Sequence, residues 1–291
     1  MANLKEIRIR ITSVNSTMQI TSAMKMVSAA KLKRAQDAIT RMRPYAEKMQ
    51  EILGNVSASL DASESPLGVQ REVKNVLLVA ITSNRGLCGG FNNNVLKEVR
   101  QQLRGPLQGK NVSILSLGKK AFDVFKKTSN HTTEGFTETP YAVFDSLTFD
   151  HASKIAEGIM AQFKLGKYDQ VVLVYNKFKN AASQQLVAEQ YLPVISQNVK
   201  PGTSQADYIF EPQKEQILEE LIPRTLKVQL YKALLDSNAA EHGARMTAMH
   251  KATDNAGELV KELKLNYNKA RQAAITGEIL EIVAGAEALK G

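Results

Sequence analysis

The sequence predicts an α/β domain set between two long helices that pair as an antiparallel coiled coil. Three observations predict this. A seven-residue apolar repeat fills positions 1–60, a repeat of the same spacing runs from Met249 to Ala274 within the helical stretch 211–291, and short apolar runs alternate with helical patterns in the middle. The domain boundaries expected from these changes of pattern are 1–60 and 211–291 for the coiled-coil helices and 73–195 for the α/β domain.

Stepping by alternating threes and fours from Leu4 gives Leu4, Ile7, Ile11, Val14, Met18, Thr21, Lys25, Ser28, Leu32, Ala35, Ile39, Met42, Ala46, Met49, Leu53, Val56 and Leu60. Fourteen of these seventeen are apolar. A period of 3.5 held that long specifies a left-handed coiled coil rather than the broader stripe of an ordinary globular helix. Pro44 interrupts the pattern, and a proline inside a helix costs about 3 kcal/mol, so a kink is expected there. The polar stretch 61–72, DASESPLGVQRE, reads as a linker.

From residue 73 the pattern changes. VKNVLLVAIT (73–82), NVSILSLG (111–118) and DQVVLVYNKF (169–178) are buried-strand runs, and QQLVAEQYLP (184–193) has the look of an edge strand. Helical stretches lie around 92–104, 119–127 and 148–165. Strands alternating with helices predict a small, largely parallel sheet of Rossmann-like type. The segment 196–212 reads as a loop. Pro212 suits the first turn of the last helix, in which Met249, Ala252, Ala256, Val260, Leu263, Tyr267, Ala270 and Ala274 keep the repeat. Pro223 is expected to kink or restart the early part of that helix. At 1.5 Å per residue the two helices span on the order of 85 and 110 Å.

Two places on these helices are apolar beyond what a two-helix seam needs. The C-terminal helix outlasts its partner by roughly four turns if both start at the domain, and the excess carries Ile275, Ile279, Leu280, Ile282, Val283 and Leu289. The N-terminal seam turns polar at Thr21, Lys25 and Ser28, where Ala23, Met24, Met26, Val27, Ala29 and Ala30 lie outside it. An exposed apolar patch marks an interaction site. An external protein sleeve, self-association or back-folding would each cover it.

The chain has 291 residues and a formal net charge of +9. Residues 1–60 hold ten Lys/Arg against four Asp/Glu, whereas 213–291 hold eleven of each, so the excess basicity belongs to the first helix. A basic helix suits nucleic acid, anionic lipid or an acidic protein surface. No apolar run approaches the roughly 20 residues of a membrane helix, so any link to a membrane is expected to be indirect. The first residues lack the apolar core of a secretory signal. Cys88 is the single cysteine, which excludes an internal disulfide.

Catalytic signatures are missing. The glycine-rich SNRGLCGGFN (83–92) lies between a strand and a helix, where a phosphate loop would sit, but it matches neither GxxxxGK[ST] nor GxGxxG. Cys88 has no His or Asp signature beside it. Glu241, His242 and His250 lack the HExxH spacing of a zinc site. No cofactor or metal is therefore expected. Two further classes, a nucleic-acid-binding coiled coil and an α/β enzyme with helical arms, lack a reader motif and an acid–base constellation respectively.

Three motifs then carry a resemblance along the whole chain. ITSVNSTMQITSAMKMVSAAKLKRAQ (11–36), continued by RPYAEKM (43–49), resembles the N-terminal signature of the F-type ATP synthase gamma subunits of bacterial type. SNRGLCGGFN resembles that family's strand–loop–helix motif. ARMTAMHKATDNA (244–256) and LVKELKLNYNKARQAAITGEILEIVAGAEAL (259–289) resemble its last helix. The resemblance implies a central rotor shaft that couples c-ring rotation to ATP synthesis or hydrolysis at the beta subunits and is itself non-catalytic. It implies a ring of alpha and beta subunits around the shaft, a foot on the membrane c-ring and the epsilon subunit, no nucleic acid, and a peripheral place at the cytoplasmic face of the bacterial inner membrane.

Carried over by position, the expected alpha/beta-ring contacts are Met24, Lys25, Met26, Arg85, Cys88, Arg271, Gln272, Thr276, Glu278, Ile279 and Ile282. The expected foot contacts are Tyr208 and Glu211, in ADYIFEP. Gly277 lies inside the last motif at a helix-interior position, where glycine costs about 1 kcal/mol relative to alanine, so local bending is expected. No cysteine-paired insertion of the kind found in the chloroplast relatives is present.

Overall fold

A computed structural model describes residues 4–58, 66–136, 139–181, 183–194 and 214–288. The helix α1 runs from Leu4 to Ala58 and α5 from Lys214 to Ala288; between them come β1 (Asn75–Ile81), α2 (Phe91–Arg104), β2 (Asn111–Leu117), α3 (Lys119–Phe125), α4 (Phe149–Lys164), β3 (Gln170–Phe178) and β4 (Gln184–Leu192). The chain divides into two compact units. One comprises Met1–Ser28 with Met246–Gly291, the other Ala29–Arg245.

The second unit is built on a four-stranded sheet of order β2-β1-β3-β4. β1 pairs in parallel with β2 and with β3, and β4 adds antiparallel to β3 at the edge. The apolar runs read as strands are therefore strands, and the QQLVAEQYL run is the edge strand the sequence suggested. One sheet face buries Val76, Leu78, Ala80, Val112 and Ile114 against Val95, Val99, Ala121 and Phe125 of α2 and α3. The opposite face buries Leu77, Val79, Ile81, Leu115, Leu173 and Tyr175 against Ile155, Ile159 and Phe163 of α4, Leu53 of α1, and Ile222, Leu226, Leu230 and Leu234 of α5. Alternation along each strand sends side chains to both faces. Both faces are covered, so the strands read as continuous apolar runs.

Neither proline breaks its helix. α1 is continuous through Pro44 and α5 through Pro223, so the restart expected at Pro223 does not occur. The cost of a lost i→i−4 bond is offset here by packing around each proline. Ala46 and Met49 are buried after Pro44; Ile222 and Leu226 are buried on either side of Pro223. Arg43, next to Pro44, is also tied down: its guanidinium donates to Asp236 Oδ1 of α5 and to Phe178 O at the end of β3, each at 3.4 Å.

In the first unit, residues 4–28 of α1 run antiparallel to residues 246–271 of α5. Arg8 Nη2 donates to Tyr267 OH at 2.8 Å. Gly257 lies where a Cβ would meet Met18 Sδ at 3.8 Å. Thr253 Oγ1 donates to Thr21 Oγ1 at 2.9 Å, and Lys25 Nζ lies 3.3 Å from His250 Nδ1. The paired residue numbers sum to 274 or 275 at each of these contacts, which is one fixed antiparallel register. Every predicted seam position from Leu4 to Leu53 is buried or half-buried, while Val56 and Leu60 lie outside the described side chains. On α5 the seam residues Met249, Ala256, Val260 and Leu263 are buried. Pro212 and the 196–212 segment also lie outside the described residues. Among the described residues, no helix is long and apolar enough to cross a membrane.

Candidate functional site

The first unit presents two surfaces that its own helices leave uncovered. The register that places Arg8 against Tyr267 puts Leu4 opposite Arg271, so α5 runs beyond the described part of α1 from Gln272 onward. All side chains from Arg271 to Ala288 are exposed apart from half-buried Gly277. Ile275, Ile279, Leu280, Ile282 and Val283 are among them, and Ile282 is 71% exposed. The charged residues of this overhang are Glu278, Glu281 and Glu287, with no base from 272 to 288. The helix is unbroken at Gly277, where a Cβ would meet nothing within 4 Å, so that glycine is not required by any close approach.

The second surface is the polar step in the seam. Thr21 and Lys25 are half-buried there and bonded across to Thr253 and His250, so the step is a satisfied polar layer between the helices. Ser28 is buried and returns its hydroxyl to Met24 O at 2.7 Å. Outside the seam, Met26 is 65% exposed and Val27 is exposed too. The apolar outward side and the polar seam of α1 therefore coincide, as the sequence suggested.

In the second unit the loop after β1 is bound tightly to its surroundings. Thr82 N donates to Leu117 O at 2.8 Å, Thr82 Oγ1 accepts from Ala121 N at 2.9 Å, and Lys120 N donates to Ser83 O at 3.1 Å. Gly118, at φ +114, makes this fit possible, since a Cβ there would lie 2.1 Å from Thr82 O. Inside the loop, Asn92 of α2 accepts from Ser83 N at 2.9 Å and donates to Cys88 Sγ at 3.2 Å. Ser83 Oγ donates to Arg85 O at 2.6 Å.

Cys88 is 1% exposed and sits beneath the loop, because its sulfur is taken up in the Asn92–Ser83 network. Burial pushes its thiol up from the ordinary value, which keeps it protonated and unreactive. The side chains that leave the loop outward are Arg85, which is exposed, and Leu87, which is 65% exposed with φ +62. A non-glycine residue at positive φ is uncommon, and this one holds an apolar side chain in solvent. Sequence reasoning missed Leu87. The available signal was a leucine inside a glycine-rich turn, where neither helical nor strand periodicity gives it a core position.

Glu241 and Arg245 form a buried i,i+4 pair on α5, with Arg245 Nη1 donating to Glu241 Oε1 at 2.6 Å. Burial raises the Glu241 carboxyl, and Arg245, Lys31 and Arg85 pull the other way. His242 beside them is held down to about 4, first by burial and then by the charges of Arg245 and Lys31. Among the described residues, no group of three or more His, Cys, Asp and Glu side chains is placed to hold a metal ion. Tyr208 and Glu211 lie outside the described residues.

The chain matches the ATP synthase family model over residues 3–289. It is 61% identical to the ATP synthase gamma chain of Flavobacterium johnsoniae and 58% identical to that of Christiangramia forsetii, with all of both chains covered in each case. Among solved structures it is similar in fold to a chain of the Euglena gracilis mitochondrial ATP synthase assembly of OSCP, F1 and c-ring, with a TM-score of 0.68 at 22% identity. That match covers 98% of this chain and 94% of the other.

Proposed function

This chain belongs to the ATP synthase gamma chain family, and we propose that it serves as a non-catalytic central shaft. In that role it couples rotation of a membrane c-ring to ATP synthesis or hydrolysis at the beta subunits of a surrounding alpha/beta ring. The observation that carries this reading is the overhang of α5. Five large apolar side chains stand in solvent on a stretch of helix that lies beyond the described part of α1. A surface of that kind marks a protein interaction site, and a ring of subunits around the shaft would cover it.

The surfaces sort accordingly. Ile279 and Ile282, with Arg271, Gln272, Thr276 and Glu278, form the tip that the ring encloses. Met24, Lys25 and Met26 meet acidic loops of the ring, in keeping with the net charge of +6 on residues 1–60. Exposed ion pairs contribute only about 0–1 kcal/mol each, which suits a contact that must be made and broken at every step. Arg85 of the second unit also faces a beta subunit; Cys88 supports that loop from below, and Leu87 joins Arg85 as its outward contact. Tyr208 and Glu211 are assigned to a foot on the c-ring and epsilon subunit from the sequence alone. The shaft comprises 1–60 and 211–291, and 73–195 form the domain it carries. In this reading the chain sits peripherally at the cytoplasmic face of the inner membrane.

The test is deletion of residues 275–291 in the complex assembled with its alpha and beta subunits. Loss of ATP synthesis and of rotation is expected. Unchanged assembly, synthesis and rotation would refute the assignment of the tip.

A further inference from the structure

In a doubly wound sheet, ligands lie at the carboxyl ends of the strands, at the point where the connections diverge to either side. Here that point falls between β1 and β3, since the chain leaves β1 for β2 on one side and β3 pairs on the other. Helix α5 lies against the loops that leave both strands. Gly243 approaches the turn after β3 so closely that a Cβ would come within 3.0 Å of Ala181 O. Two residues to either side, Glu241 and Arg245 are each only 7% exposed.

All three nitrogens of the Arg245 fork are engaged. Nη1 is taken by Glu241, while Nη2 donates to Arg85 O and to Gly86 O, each at 3.1 Å, and Nε reaches Gly86 O at 3.4 Å. The guanidinium thus holds the backbone of the loop after β1, where a phosphate-binding protein would hold its ligand. The two carbonyls it holds belong to the residues just before Leu87, whose side chain, like that of Arg85, is left outside.

We propose that Arg245 is a positioning residue for torque transfer. It touches no partner itself, and it acts by fixing the backbone from which Arg85 and Leu87 reach the beta subunit. This rests on the reading given above that the loop is a partner contact. The geometry needs arginine: three nitrogens serve one carboxylate and two carbonyls in a fixed plane, and a lysine ammonium is a single point that cannot span them. Glu241 holds the fork in register, and it is itself a buried carboxylate that needs its cation.

The test is a double-mutant cycle in the membrane-bound complex, with the readout being ions pumped per ATP hydrolysed. Arg85→Ala and Arg245→Ala are each expected to lower this ratio by about fivefold. The double variant is expected to lose clearly less than the product of the two single losses, since Arg245 acts through the loop that carries Arg85. Arg245→Lys is expected to match Arg245→Ala in this ratio, and it carries the same cycle if the alanine variant does not assemble. Losses that multiply in the double variant, or full rescue by Arg245→Lys, would overturn the positioning role while leaving the loop as a contact. A silent Arg85→Ala would instead remove the contact reading of the loop, and the proposal with it.

Discussion

Helix α5 meets three different environments along its length. Between Ile222 and Glu241, α5 buries Ile222, Leu226, Leu230, Ala233 and Leu234 in a core shared with the sheet. Between Met249 and Leu263 it buries only Met249, Ala256, Val260 and Leu263, against α1 alone. From Gln272 it buries almost nothing. The helix is held by tertiary packing in the first stretch, by a narrow seam in the second, and by its own backbone in the third. Most helical stability in proteins comes from such packing, so the comparison teaches where the sequence is under structural demand and where it is free to serve a partner.

Truncations along α5 would sharpen that gradient. Leu230→Ala, at a fully buried site, is expected to cost about 3 kcal/mol, read as a lower urea midpoint of the isolated chain. Val260→Ala, in the seam, is expected to cost about 1 kcal/mol. Ile282→Ala, in the exposed overhang, is expected to leave stability within about 0.5 kcal/mol while reducing ATP synthesis by the assembled complex. Equal costs at the three positions would break the comparison.

The second unit also carries a pH dependence that the first is not expected to share. His242 is half-buried with its Nδ1 out of solvent and unpartnered among the described residues, and it faces Arg245 and Lys31. Its folded value of about 4 lies below the ordinary imidazole value. The unfolded chain therefore binds the extra proton between these two pH values, and stability falls as pH drops through that window. Asp236 and Glu241, raised by burial, act in the opposite sense, but they are common to both proteins when wild type is compared with His242→Gln. The variant is expected to lose less stability than wild type between pH 6.5 and 4.5 in urea titrations. Parallel profiles would contradict the burial of a neutral imidazole.

The seam of α1 was legible position by position, because a 3.5-residue period has no other use on that scale. The strands were legible because both sheet faces are covered, which makes the runs continuous in apolar residues. Continuity through Pro44 and Pro223 was not legible, since local propensity speaks for a break and the contacts that outweigh it come from residues distant in sequence, such as Asp236 holding Arg43. The clasp of Arg245 on the loop was hidden for the same reason: its acceptors are backbone carbonyls about 160 residues away. Cys88 attracted notice as the single thiol, yet its burial depends on Asn92 and Ser83 folding over it. Leu87 was overlooked because an exposed apolar residue in a turn breaks no sequence rule.

The central claim is that the bare end of α5 is housed by other subunits. A cysteine placed at Ile282 tests it directly, because Cys88 is buried and leaves little background labelling. Maleimide is expected to label position 282 rapidly in the free chain and only at a small fraction of that rate once the chain is assembled with alpha and beta subunits. Equal rates in the free and assembled chain would contradict the account.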